Sequence, residues 1–155
     1  PTADRTITLP DASGTVITTG NSDAPTTTTS TSDVDFILVD FHGEITSEKM
    51  AIGHFFDGVT TCVVGTHTHV PTADTRILEK GTAYQTDIGM CGDYNSVIGM
   101  NKENSLKKFL KDSNATTHFP AEKEATISGI IIEADHKTGL ATKVLRIIRG
   151  GSLNI

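Results

Sequence analysis

Two apolar runs, each ending in histidine, limit what this chain can become more than any other feature. One is Phe36-Ile37-Leu38-Val39-Asp40-Phe41-His42; the other is Thr60 to Val64, followed by Gly65-Thr66-His67-Thr68-His69. The continuous apolar pattern of Val34 to Asp40 reads as a strand buried on both faces, as in a parallel sheet covered by other layers. Between the runs, Thr46 or Ser47 can cap a helix to about Asp57, with Glu48 in its first turn and Gly58 as its stop. Strand, helix, strand over this span predicts an α/β fold. In such folds ligands collect outside the carboxyl ends of the strands, which is where these histidines fall.

The residue types point to a metal, because neutral imidazole is the commonest metal ligand. In an extended tip, residues i and i+2 point to one side. His67 and His69 are therefore expected to face one site together with His42, while Thr66 and Thr68 face away. The blander alternative is a set of surface histidines or hydrogen-bonded core histidines. His54 in the expected helix and His136 at an expected turn are read in that way. Glu44 and Asp87 lie near the tips; each is a candidate to orient a histidine, to act as a base, or to be an ordinary loop residue. A three-histidine site with an open water position would make a mononuclear hydrolase.

Composition narrows the function classes. The 155 residues suit one domain of ordinary size. Hydrophobic residues make up 36% and mean hydropathy is −0.14, enough for a modest core. No run approaches the ~20 apolar residues of a membrane span, and no basic start precedes an apolar block, so neither a span nor a signal segment is expected. A net charge of −6 argues against a nucleic-acid-coating surface. Cys62 and Cys91 are too few for a disulfide framework, which makes a reducing cytoplasm the default; Cys62 reads as a small core residue.

Residues 1–33 differ from the rest. Arg5–Leu9 and Thr15–Thr18 alternate weakly around a turn at Pro10–Gly14, like a small hairpin, with a faint resemblance to strands of phage tail and fibre proteins. The run Thr26 to Ser32 is polar and low in complexity, and it reads as a linker. Beyond the second histidine tip, Arg76–Leu78 and Thr82–Thr86 predict a hairpin turning at Lys80-Gly81. Asp87 to Asp93 is a glycine-bearing loop. Asn101 or Asn104 starts a helix to about Lys111, whose lysines read as a solvated face. After a polar loop over residues 113–124, Ala125–Ala134 and Leu140–Ile148 are expected to pair around a turn at Asp135–Gly139.

Several of these segments together resemble the YmdB-type bacterial metallophosphoesterases. They are Asp40-Phe41-His42-Gly43-Glu44 with Thr46-Ser47-Glu48-Lys49-Met50, Val64-Gly65-Thr66-His67-Thr68-His69-Val70-Pro71-Thr72-Ala73-Asp74, Gly81-Thr82-Ala83-Tyr84, Thr86-Asp87-Ile88-Gly89-Met90, and Ser96-Val97-Ile98-Gly99-Met100. The match runs from about Asp35 to near Gly151. The resemblance implies a calcineurin-like α/β/β/α sandwich, of which 34–155 would be the C-terminal portion and 1–33 a polar leader and linker. It implies two divalent transition metals, iron or manganese, and hydrolysis of phosphodiesters, notably 2′,3′-cyclic nucleotides. His42 and His67 would match ligands of one metal and His69 a ligand of the other. Two metals ~3.5–4 Å apart clamp a phosphate and activate a water for in-line attack.

The family's other ligands are an aspartate after glycine, a Glu-Asn pair at a strand tip and an Asn-His pair. This chain has no Asn-His dipeptide, and its one Glu-Asn, Glu103-Asn104, falls in the lysine-bearing helix segment. Two main expectations follow. One is a metal-dependent phosphodiesterase completed by a missing N-terminal half or a second copy. The other is a non-catalytic truncated or chimeric fragment, with an uncovered sheet face that favours association. The expected partner is a small phosphodiester, with neither membrane nor nucleic acid.

Overall fold

The computed structural model describes residues 15–18 and 35–153. Strands β1 (Thr15–Thr18), β2 (Ile37–His42), β3 (Cys62–Thr66), β4 (Arg76–Ile77) and β5 (Ala83–Gln85) form one mixed sheet in the order β1-β2-β3-β5-β4. β2, β3 and β5 run parallel, and β1 and β4 close the two edges antiparallel. Helix α1 (Thr46–Phe55) makes the crossover from β2 to β3. After helix α2 (Lys102–Phe109), strands β6 (Ile127–Ala134) and β7 (Ala141–Arg149) pair as a separate antiparallel ribbon. The expected α/β class and parallel core are present.

The sheet is packed on both sides. Toward α1 it presents Val39, Phe41, Val63 and Tyr84, which bury Ile52 and Leu78. Toward the ribbon it presents Cys62, Val64 and Ala83, against which Ile130, Ile132 and Val144 pack. Gly53 lets α1 lie directly on the Tyr84 ring: a Cβ there would stand 2.5 Å from it. β3, between β2 and β5, is thereby buried on both faces.

β2 departs from the expectation of two buried faces. Val39 and Phe41 are buried, but Leu38 is 42% exposed and Phe36 41%. The reason is incomplete cover: an apolar cleft of about 280 Å³, lined by Phe36, Leu38, Cys62, Ile132 and Ala134 among others, stays open between β2 and the ribbon. The α1 start also differs. Its N-cap is Ile45, without a side-chain hydrogen bond, and Thr46 lies inside the helix. Gly58, at φ +79°, follows the helix as expected. In α2 the Asn101 side chain caps Asn104 N, but the helix ends at Phe109, short of Lys111.

Thr15–Thr18, the second half of the expected leader hairpin, is β1; it pairs with β2 in the register Thr15↔Asp40 to Thr18↔Ile37. Its expected first strand and turn, and the threonine-rich run, lie outside the described residues.

Candidate metal centre

β2 and β3 are paired so that His42 stands level with Thr66. Both strands therefore release their chains at the same end of the sheet. Nε2 of His42 and Nδ1 of His67 are hydrogen-bonded at 3.1 Å, with the rings edge to face and their centroids 4.9 Å apart. The remaining His42 nitrogen is held: Nδ1 meets Thr66 Oγ1 at 3.0 Å, and that hydroxyl donates to Asp40 Oδ1 at 2.9 Å. Asp40 as acceptor at the end of this chain favours the tautomer that leaves Nε2 of His42 with its lone pair. Thr66 thus faces the site, contrary to the expectation from an extended tip.

The tip is not extended because β3 stops at Thr66 and the backbone turns left-handed at His67 (φ +129°) and His69 (φ +63°). Non-glycine residues rarely take such conformations, and two within three residues need a surrounding structure that imposes them. As a result His67 and His69 diverge. His67 goes to His42, and His69 Nδ1 goes to the carbonyl of Ile98, 2.8 Å away. Ile98 is itself left-handed at φ +48°, an unusual state for a β-branched residue. A ring N–H donated to a backbone carbonyl is how ligating histidines are commonly oriented, and it leaves Nε2 of His69 available.

Asp87 is wholly buried and both its oxygens are engaged. Oδ2 accepts from Lys49 Nζ at 2.8 Å and from Thr68 N at 3.0 Å; Oδ1 accepts from Gly89 N at 2.9 Å. Burial pushes its carboxyl upward, but the Lys49 ammonium and the donors of Thr68 and Gly89 outweigh that and hold it below the ordinary carboxylate range. Of the roles open to Asp87, this buried, three-donor geometry supports orienting the histidine loop. Glu44 is exposed beyond the end of β2, and His54, within α1, and His136, in the turn before β7, are exposed.

Sequence reasoning missed Lys49, Asp40, Thr66 and Ile98. A signal existed for Lys49, which shares the buried face of α1 with Ile52 and Gly53 at helical spacing. No comparable signal marks Ile98, whose part is played by its backbone.

Among the described residues, no three His, Cys, Asp or Glu side chains are grouped to hold one ion. The histidines do fit part of a metal site. With metal–nitrogen bonds of about 2.0–2.2 Å, neighbouring ligand nitrogens stand roughly 2.9–3.4 Å apart, and the His42–His67 separation falls in that interval. His69 offers a third imidazole from the same loop. A two-metal cluster needs further donors beyond these three.

A family described as YmdB-like protein matches residues 11–147, and the chain belongs to that family. Over 114 residues it is 50% identical to a Bacillus subtilis protein named 2′,3′-cyclic-nucleotide 2′-phosphodiesterase, covering 73% of this chain and 42% of that one. Two solved structures are similar. A hypothetical protein from Thermus thermophilus gives a TM-score of 0.69 at 39% identity, over 77% of this chain and 46% of the other. A phosphatase from Mycoplasma pneumoniae gives 0.67 at 44% identity, over 78% and 44%. The chain thus spans less than half the length of these relatives.

Proposed function

We propose that this chain carries the histidine share of a metal-dependent phosphodiesterase site acting on 2′,3′-cyclic nucleotides or related small phosphodiesters. The observation that carries this reading is the His42–His67 pair: two imidazoles at ligand spacing, with the other nitrogen of His42 already bonded away from the site. His42 Nε2 and His67 Nδ1 would hold one metal, and His69 Nε2 would reach the other. Imidazole suits iron or manganese. Such ions, when bound, would bind phosphate oxygens and lower the pKa of a water to make the nucleophile. The chain's own residues orient that chemistry: Asp40 through Thr66 fixes His42, Ile98 fixes His69, and Asp87 fixes the loop between His67 and His69. The relative named a cyclic-nucleotide phosphodiesterase supports the substrate class.

The finer fold belongs to the same proposal. The mixed sheet and the ribbon would form part of a calcineurin-like α/β/β/α sandwich, completed by the remainder of a full-length protein or by a second copy, which would also bring the missing donors. The free thiols Cys62 and Cys91 accord with a reducing cytoplasm. Among the described residues no helix is long and apolar enough to cross a membrane.

The absence of a three-donor group among the described residues favours a second reading, an inactive fragment. Metal stoichiometry separates the two. The chain is loaded with manganese or iron(II), and bound metal is counted beside a His67→Ala, His69→Ala variant. Histidine-dependent metal, followed by hydrolysis of a 2′,3′-cyclic nucleotide, supports the enzyme reading. Metal uptake indifferent to the substitutions sinks it.

A further inference from the structure

One ion pair sits in the core directly behind the candidate centre. The side chains of Lys49 and Asp87 are 1% and 0% exposed, and Nζ and Oδ2 are 2.8 Å apart. Burying two charges is costly, and well-packed apolar residues of similar volume are often as stable or more so.

On its way to Asp87 the Lys49 stem passes Gly65, where a Cβ would stand 2.8 Å from Lys49 Cδ and 1.8 Å from the Thr86 carbonyl oxygen. Only a glycine leaves that path open. At its end, Asp87 accepts the amides of Thr68 and Gly89. Thr68 lies between the two left-handed histidines, so its N–H direction is fixed by the same backbone turns that separate His67 from His69. Left unpaired, that N–H would turn to another partner and the loop would relax toward ordinary dihedrals.

We infer that Lys49 is a positioning residue for the metal centre: it anchors Asp87, and Asp87 clamps the Thr68 amide so that His67 and His69 are held in their divergent, ligand-presenting conformations. The bearing on metal binding rests on the function proposed above; the clamp itself does not.

The test uses the full chain with Lys49→Met/Asp87→Ala, which removes both buried charges together, and Lys49→Arg, which keeps the cation. Two quantities are measured: amide hydrogen exchange at Thr68 and Gly89 without metal, and manganese affinity by titration. In the double variant, the amides of β2 and β3 are expected to exchange as in the parent while Thr68 and Gly89 lose protection at least tenfold. Manganese affinity is expected to fall about 10- to 100-fold, the range typical for groups that orient ligands. Lys49→Arg is expected to retain most of both. Unchanged Thr68 protection and manganese affinity in a folded double variant would overturn the inference. So would a double variant that does not fold, since the pair would then be a determinant of the core. If the parent chain binds no manganese through His67, the proposed function fails, while the exchange data still decide the clamp.

Discussion

Lys49 is the residue on which sequence and structure part most clearly. A lysine on a helix is ordinarily solvated, so its burial is legible only from the face it shares with Ile52 and Gly53. Because Asp87 would be left as an unpaired buried carboxylate, Lys49→Met alone is expected to cost about 3–5 kcal/mol of unfolding free energy, read from urea titrations at pH 7. The same pair sets an acid dependence. Asp87 has its folded pKa lowered, so its contribution is fully present above the ordinary carboxylate value of about 3.9 and is lost as pH falls through the lower folded value. Urea midpoints of the parent should therefore drop on acidification through that window, and those of Lys49→Met should drop less. The meeting of His42 and His67 was legible, but the divergence of His69 was not. Alternation along a strand says nothing about a chain that turns left-handed at His67 and His69 while a carboxylate 19 residues beyond Thr68 holds the amide between them.

Elements were easier to read than their ends. The parallel strands, the hairpin at Gly81 and the β6–β7 ribbon follow from apolar periodicity and turn residues, because local pattern and burial agree there. The α1 start was misplaced because Thr46 and Ser47 are good caps in isolation, whereas the chain leaving β2 enters the helix one residue earlier, at Ile45. That misfit makes a prediction. Ile45 is 53% exposed and satisfies no amide with its side chain, so Ile45→Asp should stabilise the protein by about 1 kcal/mol, measured as a rise in urea midpoint. Gly65 predicts the opposite. Its missing Cβ is occupied by the Thr86 carbonyl and the Lys49 stem, so Gly65→Ala should destabilise by at least the ~1–3 kcal/mol of an overpacked core and weaken β3–β5 pairing in hydrogen exchange.

At the scale of the molecule, apolar side chains remain on the outside. α2 buries Asn104 and Ser105 while Phe109 and the following Leu110 are each 79% exposed, and the ribbon shows Ile131 and Leu145 to solvent. Sequence alone identifies these residues as apolar but cannot say that no layer among the described residues covers them; β2 was misread for the same reason. Surfaces of this kind associate. The chain is expected to sediment above monomer mass at micromolar concentration and to bind an apolar dye, and Ile131→Lys/Leu145→Lys should reduce both.

The parallel register of β2 and β3 has a further consequence. Because His42 is level with Thr66, the two imidazoles meet only if both strands end on the same rung of the sheet. Strand length is thus the ruler that sets the gap between them. Dropping one residue from either strand would move its tip by about 3.3 Å and turn every later side chain to the opposite face, parting the histidines without touching either one. Insertions and deletions should therefore be tolerated in the loops of this protein far more readily than between Ile37 and His42 or between Cys62 and Thr66, where the count of residues is itself part of the proposed site.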